Sequence, residues 1–221
     1  MKGKGDETLF ERLVAGDQEC LRPLMERYGD VLTLYVNGYV HDIDAAEDTM
    51  IEAFSRMLVK RPRLREGGFK PYLYKTARNL ALRYLRLRAR FMSADDLGNE
   101  PASGERVEDG ILRDERARAL YRCLEKVAPD YREALYLVYI EGMSYDEAGA
   151  IMRKTRKQVD NLVSRGKKAM RPLLTEEGIS YETTDERMED VLGRAKAREA
   201  VARRRRQRAS AAGLRREHSP P

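Results

Sequence analysis

Arg156, Lys157, Asp160, Asn161, Ser164, Arg165 and Lys168 share one side of a helix-length segment, opposite Val159, Leu162, Val163 and Met170. The apolar set recurs at three- and four-residue spacing, which marks the buried face of a helix. The chemistry open to the exposed set is contact, not bond making. Lys and Arg neutralise phosphates, and Arg and Asn match guanine and adenine edges in a major groove. Residues near the start of such a helix enter the groove. Base reading therefore falls chiefly to Arg156, Lys157 and Asn161, and phosphate contact to Arg165 and Lys168. No residue is assigned a catalytic role, and no cofactor is expected.

Two local devices must position this set. Ser144 with Glu147, and Thr155 with Gln158, have the spacing of capping boxes. Each opens a short helix, and the break at Arg153-Lys154 leaves a turn of helix-turn-helix length. Arg153 stands where the turn favours Gly, and a left-handed Arg costs about 1 kcal/mol. The plainer alternative is a charged, solvated helical hairpin.

A second set lies in the N-terminal half. His41 to Glu52 holds Asp42, Asp44, Glu47, Asp48 and Glu52 with no Lys or Arg. Asp44, Asp48 and Glu52 are four apart and share a helix face. Their plainer role is favourable pairing with a helix start. His41 has no second His nearby, so a metal site is not expected. Residues 60–90 hold eleven Lys or Arg and one acid, with Tyr72, Tyr74 and Tyr84 interleaved. Arg61, Arg63, Lys75 and Arg78 belong to this run. Phosphate neutralisation plus base stacking needs that mixture, although such tyrosines are more often core or rim residues.

The chain around these sets reads as all-α. Residues 6–92 predict a helical bundle: a short amphipathic start, then a long helix capped by Asp17. A third helix is opened by an Asp44–Glu47 box, and a fourth has Pro71 in its first turn. Residues 93–112 hold six acids and one Arg, a net −5, among Gly, Pro and Ser, as in a flexible acidic linker. Residues 113–175 predict a second helical unit ending in the helix-turn-helix. Residues 176–221 are Arg-rich, with few large apolar side chains, and predict a partly helical or disordered arm. Charged residues make up 36% of the 221, aromatics 7%, and the net charge is +6. Two distant cysteines, Cys20 and Cys123, imply neither a disulfide framework nor a zinc site. No apolar run approaches the roughly 18 residues of a membrane span, and the N-terminus shows no signal region. A cytoplasmic protein without membrane insertion is the expectation.

In this order the segments resemble bacterial RNA polymerase sigma factors of the two-domain, extracytoplasmic-function type in the sigma-70 family. Asp44-Ala-Ala-Glu47-Asp48 with Glu52-Ala-Phe54 is similar to the family's core-binding helix. Phe69-Lys-Pro-Tyr72-Leu-Tyr-Lys75-Thr-Ala-Arg78-Asn79 is similar to its promoter-melting segment. Val127 to Leu135, then Glu141 to Glu147, resemble the run before its recognition helix. The likeness covers roughly residues 7–175. Ile51 stands where Gln is common, Tyr72 where Trp is, Arg83 where Asp is, and Gly149 and Gly166 where Ala is.

The resemblance implies that Asp44, Glu47, Asp48, Glu52 and Phe54 dock on core RNA polymerase. It implies that Arg61, Arg63, Phe69, Tyr72, Lys75, Arg78 and Asn79 capture and melt the −10 element of promoter DNA. Thr155, Arg156, Lys157, Asp160, Asn161, Ser164, Arg165 and Lys168 would bind the −35 element. An anti-sigma factor is a further partner that the family admits. Two alternatives remain: a helix-turn-helix regulator working without polymerase, and a basic RNA-binding protein. Neither needs an acidic linker between two differently charged units.

Overall fold

A computed structural model describes residues 5–92 and 115–178, and every regular element among them is helical. The expected acidic linker, and the expected tail from residue 179 onward, lie outside the described residues.

The N-terminal unit comprises α1 (Asp6–Val14), α2 (Leu21–Val40), α3 (Ile43–Lys60) and α4 (Phe69–Met92). Leu24, Tyr28, Leu32 and Val36 recur along α2 and are buried against Ala46, Met50, Ala53 and Met57 of α3. Leu73, Ala77 and Leu80 of α4 complete that core. Each large apolar side chain so buried contributes about 1.5–3 kcal/mol, before the entropy of ordering it is subtracted.

Two expected caps are corrected. Asp17 does not cap α2: a 3₁₀ turn, Gln18–Cys20, intervenes, and the Asp17 carboxylate instead accepts from Arg12 and the Cys20 thiol. The cap of α3 is Asp42, whose Oδ1 accepts from the Ala45 N–H at 3.1 Å, while Asp44 lies inside the first turn. The causes differ. Before α2 the 3₁₀ turn puts Cys20 at the N-cap, without a side-chain cap. Before α3, Asp42 and Asp44 offer the same side chain, and the backbone's entry into the helix decides which is used.

The C-terminal unit comprises α5 (Glu115–Lys126), α6 (Pro129–Leu135), α7 (Tyr145–Met152) and α8 (Arg156–Glu176). A π-helical turn, Tyr136–Ile140, extends α6, a feature the sequence reading lacks. It ends with the Met143 N–H bonded to the Leu137 carbonyl, while Gly142 at φ 62° takes the left-handed position that closes such a helix end. Both capping boxes form as the sequence predicts. Ser144 and Glu147 satisfy each other's backbone N–H groups, and so do Thr155 and Gln158. Arg153 is left-handed, at φ 57°, between the two helices. Gly149 is required beside it, because a Cβ there would lie 2.5 Å from the Lys154 carbonyl oxygen.

The two units pack on each other. α2 meets α6, and α4 meets α7.

Candidate nucleic-acid and protein interfaces

The helix-turn-helix presents its predicted surface. Val159, Val163 and Met170 are buried, which turns the other side of α8 outward. Thr155, Arg156, Lys157, Asp160, Asn161, Ser164, Arg165 and Lys168 are all exposed. The Arg156 guanidinium lies 3.5 Å from Asp146, both side chains being about 70% exposed, so this pair holds it weakly. These side chains remain available to a groove approaching the start of α8.

On α3 the outward face carries Asp44, Glu47, Asp48 and Glu52. Ile51 is exposed among them, and Val59, 83% exposed, lies about two turns beyond Glu52, beside Arg56 and Lys60. Exposed apolar side chains set among acids suit a protein partner better than a nucleic acid. The sequence contains a sign of this, because Ile51 and Val59 fall off the stripe of Ala46, Met50, Ala53, Phe54 and Met57. Phe54 itself is buried and so holds the helix in place rather than offering it. Glu52 pairs with Arg56 one turn on, at 2.7 Å.

The basic segment divides. Arg61, Arg63 and Lys75 are exposed, and Tyr72, Arg78 and Asn79 are half-buried. Phe69 is fully buried, its ring 5.5 Å from Phe10 and 5.4 Å from Tyr28. The Glu7 carboxylate accepts the Phe69 N–H at 2.9 Å and thus caps α4 from α1. In this conformation Phe69 anchors the segment instead of facing outward.

The helical fold brings Arg78 to the C-terminal unit. Its Nε donates to Glu133 Oε1 at 2.7 Å, and the Tyr35 hydroxyl donates to the same oxygen at 3.0 Å. Burial works against the Arg78 charge, but the Glu133 hydrogen bond and charge outweigh it, so its pKa lies above the ordinary value. Lys70, about two helical turns earlier, places Nζ 2.5 Å from Glu141 Oε2 and from the Glu141 carbonyl. Tyr74, fully buried between them, has its phenol pushed well up by burial and then by the Glu141 charge. Glu133 and Glu141 are absent from the sequence-level candidates. Their partners lie 55 and 71 residues away, and no local pattern announces them.

Among the described residues, no group of three His, Cys, Asp or Glu is placed to hold a metal, and no helix is long and apolar enough to cross a membrane. Cys20 and Cys123 are buried free thiols, and burial pushes Cys123 up to about 11.

Comparison with known proteins supplies an independent line. The family model described as Sigma-70 region 2 matches residues 24–91, and that described as Sigma-70, region 4 matches residues 117–170. The chain is 28% identical over 186 residues to the RNA polymerase sigma-H factor of Pseudomonas aeruginosa, covering 77% of this chain and 96% of that protein. It is 28% identical over 178 residues to the ECF RNA polymerase sigma-E factor of Escherichia coli K12, covering 75% and 92%. In fold it is similar to the sigma factor RpoE of Bartonella quintana, solved in complex with the anti-sigma factor NepR. The TM-score is 0.54 at 22% identity, covering 70% of this chain and 96% of that one.

Proposed function

This chain belongs to the sigma-70 family, as a non-catalytic RNA polymerase sigma factor of the extracytoplasmic-function type with region 2 and region 4 units, and from that premise we propose how its side chains direct polymerase to promoters. The exposed acidic and apolar face of α3, with Asp44, Glu47, Asp48, Ile51 and Glu52, docks on core polymerase. Arg61, Arg63, Tyr72, Lys75, Arg78 and Asn79 engage the −10 element. There the backbone is held by charge, and an unstacked base is received beside an aromatic ring. Phe54 and Phe69 hold these two surfaces in shape from the core. Arg156, Lys157 and Asn161 read the −35 element, and Arg165 and Lys168 hold its phosphates, with Thr155, Asp160 and Ser164 at the same face. The place of action is the cytoplasm, where polymerase meets the chromosome. An anti-sigma factor joins the proposal as a regulatory partner.

The observation that carries this assignment is the segregation of surfaces. An acidic-apolar face on α3 and two basic faces on the 61–79 segment and α8 stand on a single chain. A regulator working alone, or an RNA-binding protein, has no use for the first of these.

Transcription with purified components tests it. Bacterial core polymerase on a library of randomised promoters should yield discrete start sites only when this chain is added, with two enriched elements upstream. A start-site distribution that the chain leaves unchanged would overturn the proposal.

A further inference from the structure

We propose that a second copy of this chain docks on the C-terminal half of α4, laying the acidic face of its α3 along a basic, apolar stripe there. The pairing shields that α3 face until core polymerase competes for it. This consequence rests on the docking role assigned to α3.

The stripe is Arg83, Arg86, Leu87, Arg90 and Phe91, all exposed. Their three- and four-residue spacing places them on one side of α4. The helix carries no Asp or Glu along its length. Arg86 donates to the Leu82 carbonyl, and among the described residues none of the three guanidinium groups meets a carboxylate. Arginines alone have an ordinary role near a helix C-terminus, where positive charge complements the macrodipole. Leu87 and Phe91 have no such role. They stand one turn apart, 40% and 73% exposed. Neighbouring large apolar side chains left to solvent and rimmed by charge mark a protein contact.

The complementary surface is on the same chain. Asp44, Glu47, Asp48, Ile51 and Glu52 follow the same spacing on α3 and are exposed. Each set runs for about 12 Å of helix, so opposite charges can line up along the whole contact. Packed helices lie about 8–10 Å apart, a separation at which Ile51 of one copy reaches the Leu87 and Phe91 side chains of the other. Guanidinium and carboxylate groups then meet in charge-assisted, forked hydrogen bonds. Within one chain the two sets do not pair. Among the described residues no ion pair joins α3 to α4, and Glu52 takes Arg56 of its own helix. A DNA backbone would match the arginines and leave Leu87 and Phe91 uncovered, whereas an acidic helix with an apolar centre covers both. Exposed ion pairs are individually weak and are screened by salt, so the association is reversible and salt-sensitive.

Sedimentation velocity of the full chain at rising concentration tests the contact. The wild type should associate, and raised salt should weaken the association. Arg83→Glu with Arg86→Glu should weaken it at least about tenfold, and so should Asp48→Lys with Glu52→Lys, since each sets like charges against one another. All four positions are exposed, so circular dichroism should stay helical. The contact joins unlike faces. An equimolar mixture of the two variants therefore sets an intact α3 face against an intact α4 stripe, and the association should return. Leu87→Ala with Phe91→Ala should weaken it while keeping its salt dependence. Core polymerase added to the wild type should take up single copies and disperse the assembly.

A wild type that stays monomeric at every concentration would overturn the proposal. If the Arg83→Glu, Arg86→Glu holoenzyme then also binds promoter DNA less tightly, the stripe belongs to DNA. Association that both charge variants retain, or a mixture of them that stays apart, would overturn it equally. The functional reading is judged separately. A monomeric chain that loses polymerase through Asp48→Lys with Glu52→Lys refutes the self-association only. Association that the charge variants govern but polymerase leaves untouched refutes the docking role of α3, and with it the shielding.

Discussion

Asp48→Lys combined with Glu52→Lys is expected to abolish binding of the chain to core polymerase, with affinity falling at least about 100-fold. A factor of 100 corresponds to about 2.7 kcal/mol, and like-charge juxtaposition at an interface costs several kcal/mol. Both carboxylates are exposed on α3 and contribute nothing to the core. The native Glu52–Arg56 pair is a surface contact between side chains 50% and 37% exposed, so its loss matters little to folding. Lys at position 52 adds a like-charge neighbour to Arg56, a penalty of about 0.5 kcal/mol. The helical signal should therefore stay close to wild type while co-purification with polymerase disappears. Ile51 lies beside the exchanged charges, and a residual salt-insensitive affinity would be its own. Unchanged affinity across a salt titration would show that α3 is not the docking helix.

A second large effect is expected in the recognition helix, where five single alanine variants should separate into two kinds. Arg156→Ala, Lys157→Ala and Asn161→Ala each remove a side chain from the start of α8, the end proposed to enter the groove. Each should cost about 1–3 kcal/mol on the preferred promoter and relax one position of the −35 element. Arg165→Ala and Lys168→Ala lie further along and should weaken all sequences alike, lowering the salt slope by about one unit each. Holoenzymes carrying each variant, run on promoters randomised at the −35 element, distinguish the two patterns. If the first three leave the preferred sequence intact and either of the last two alters it, α8 is docked the other way round.

The sequence discloses these elements unevenly, and the range of each interaction explains why. Both capping boxes around the helix-turn-helix can be read directly, because donor and acceptor lie three residues apart. The left-handed Arg153 follows from the same local count, since a helix must end before Thr155 can open the next. The exposed face of α8 follows from helical periodicity once Val159 and Val163 are taken as buried. Asp42 and Asp44 defeat this approach, because either spacing makes a cap and only the chain path chooses. Phe54 and Phe69 show a different limit. A motif marks them as belonging to a functional segment, but burial decides whether they touch a partner or hold the segment up. Glu133, Glu141, Arg132 and Tyr136 lie beyond any local reading. Their contacts come from packing one unit on the other across many tens of residues, which neither helical periodicity nor cap spacing reports.

Two small DNA-contacting surfaces on one chain gain specificity when polymerase fixes their spacing, because the second contact then forms at high effective concentration. The most direct measurement of that account is an equilibrium gel shift of a promoter duplex at physiological salt, with the chain alone, core polymerase alone, and both together. The account predicts weak and sequence-indifferent binding by the chain alone, no promoter preference by core polymerase, and a tight, promoter-specific complex only with both. Tight and specific binding of the duplex by the isolated chain, unaffected by polymerase, would contradict it.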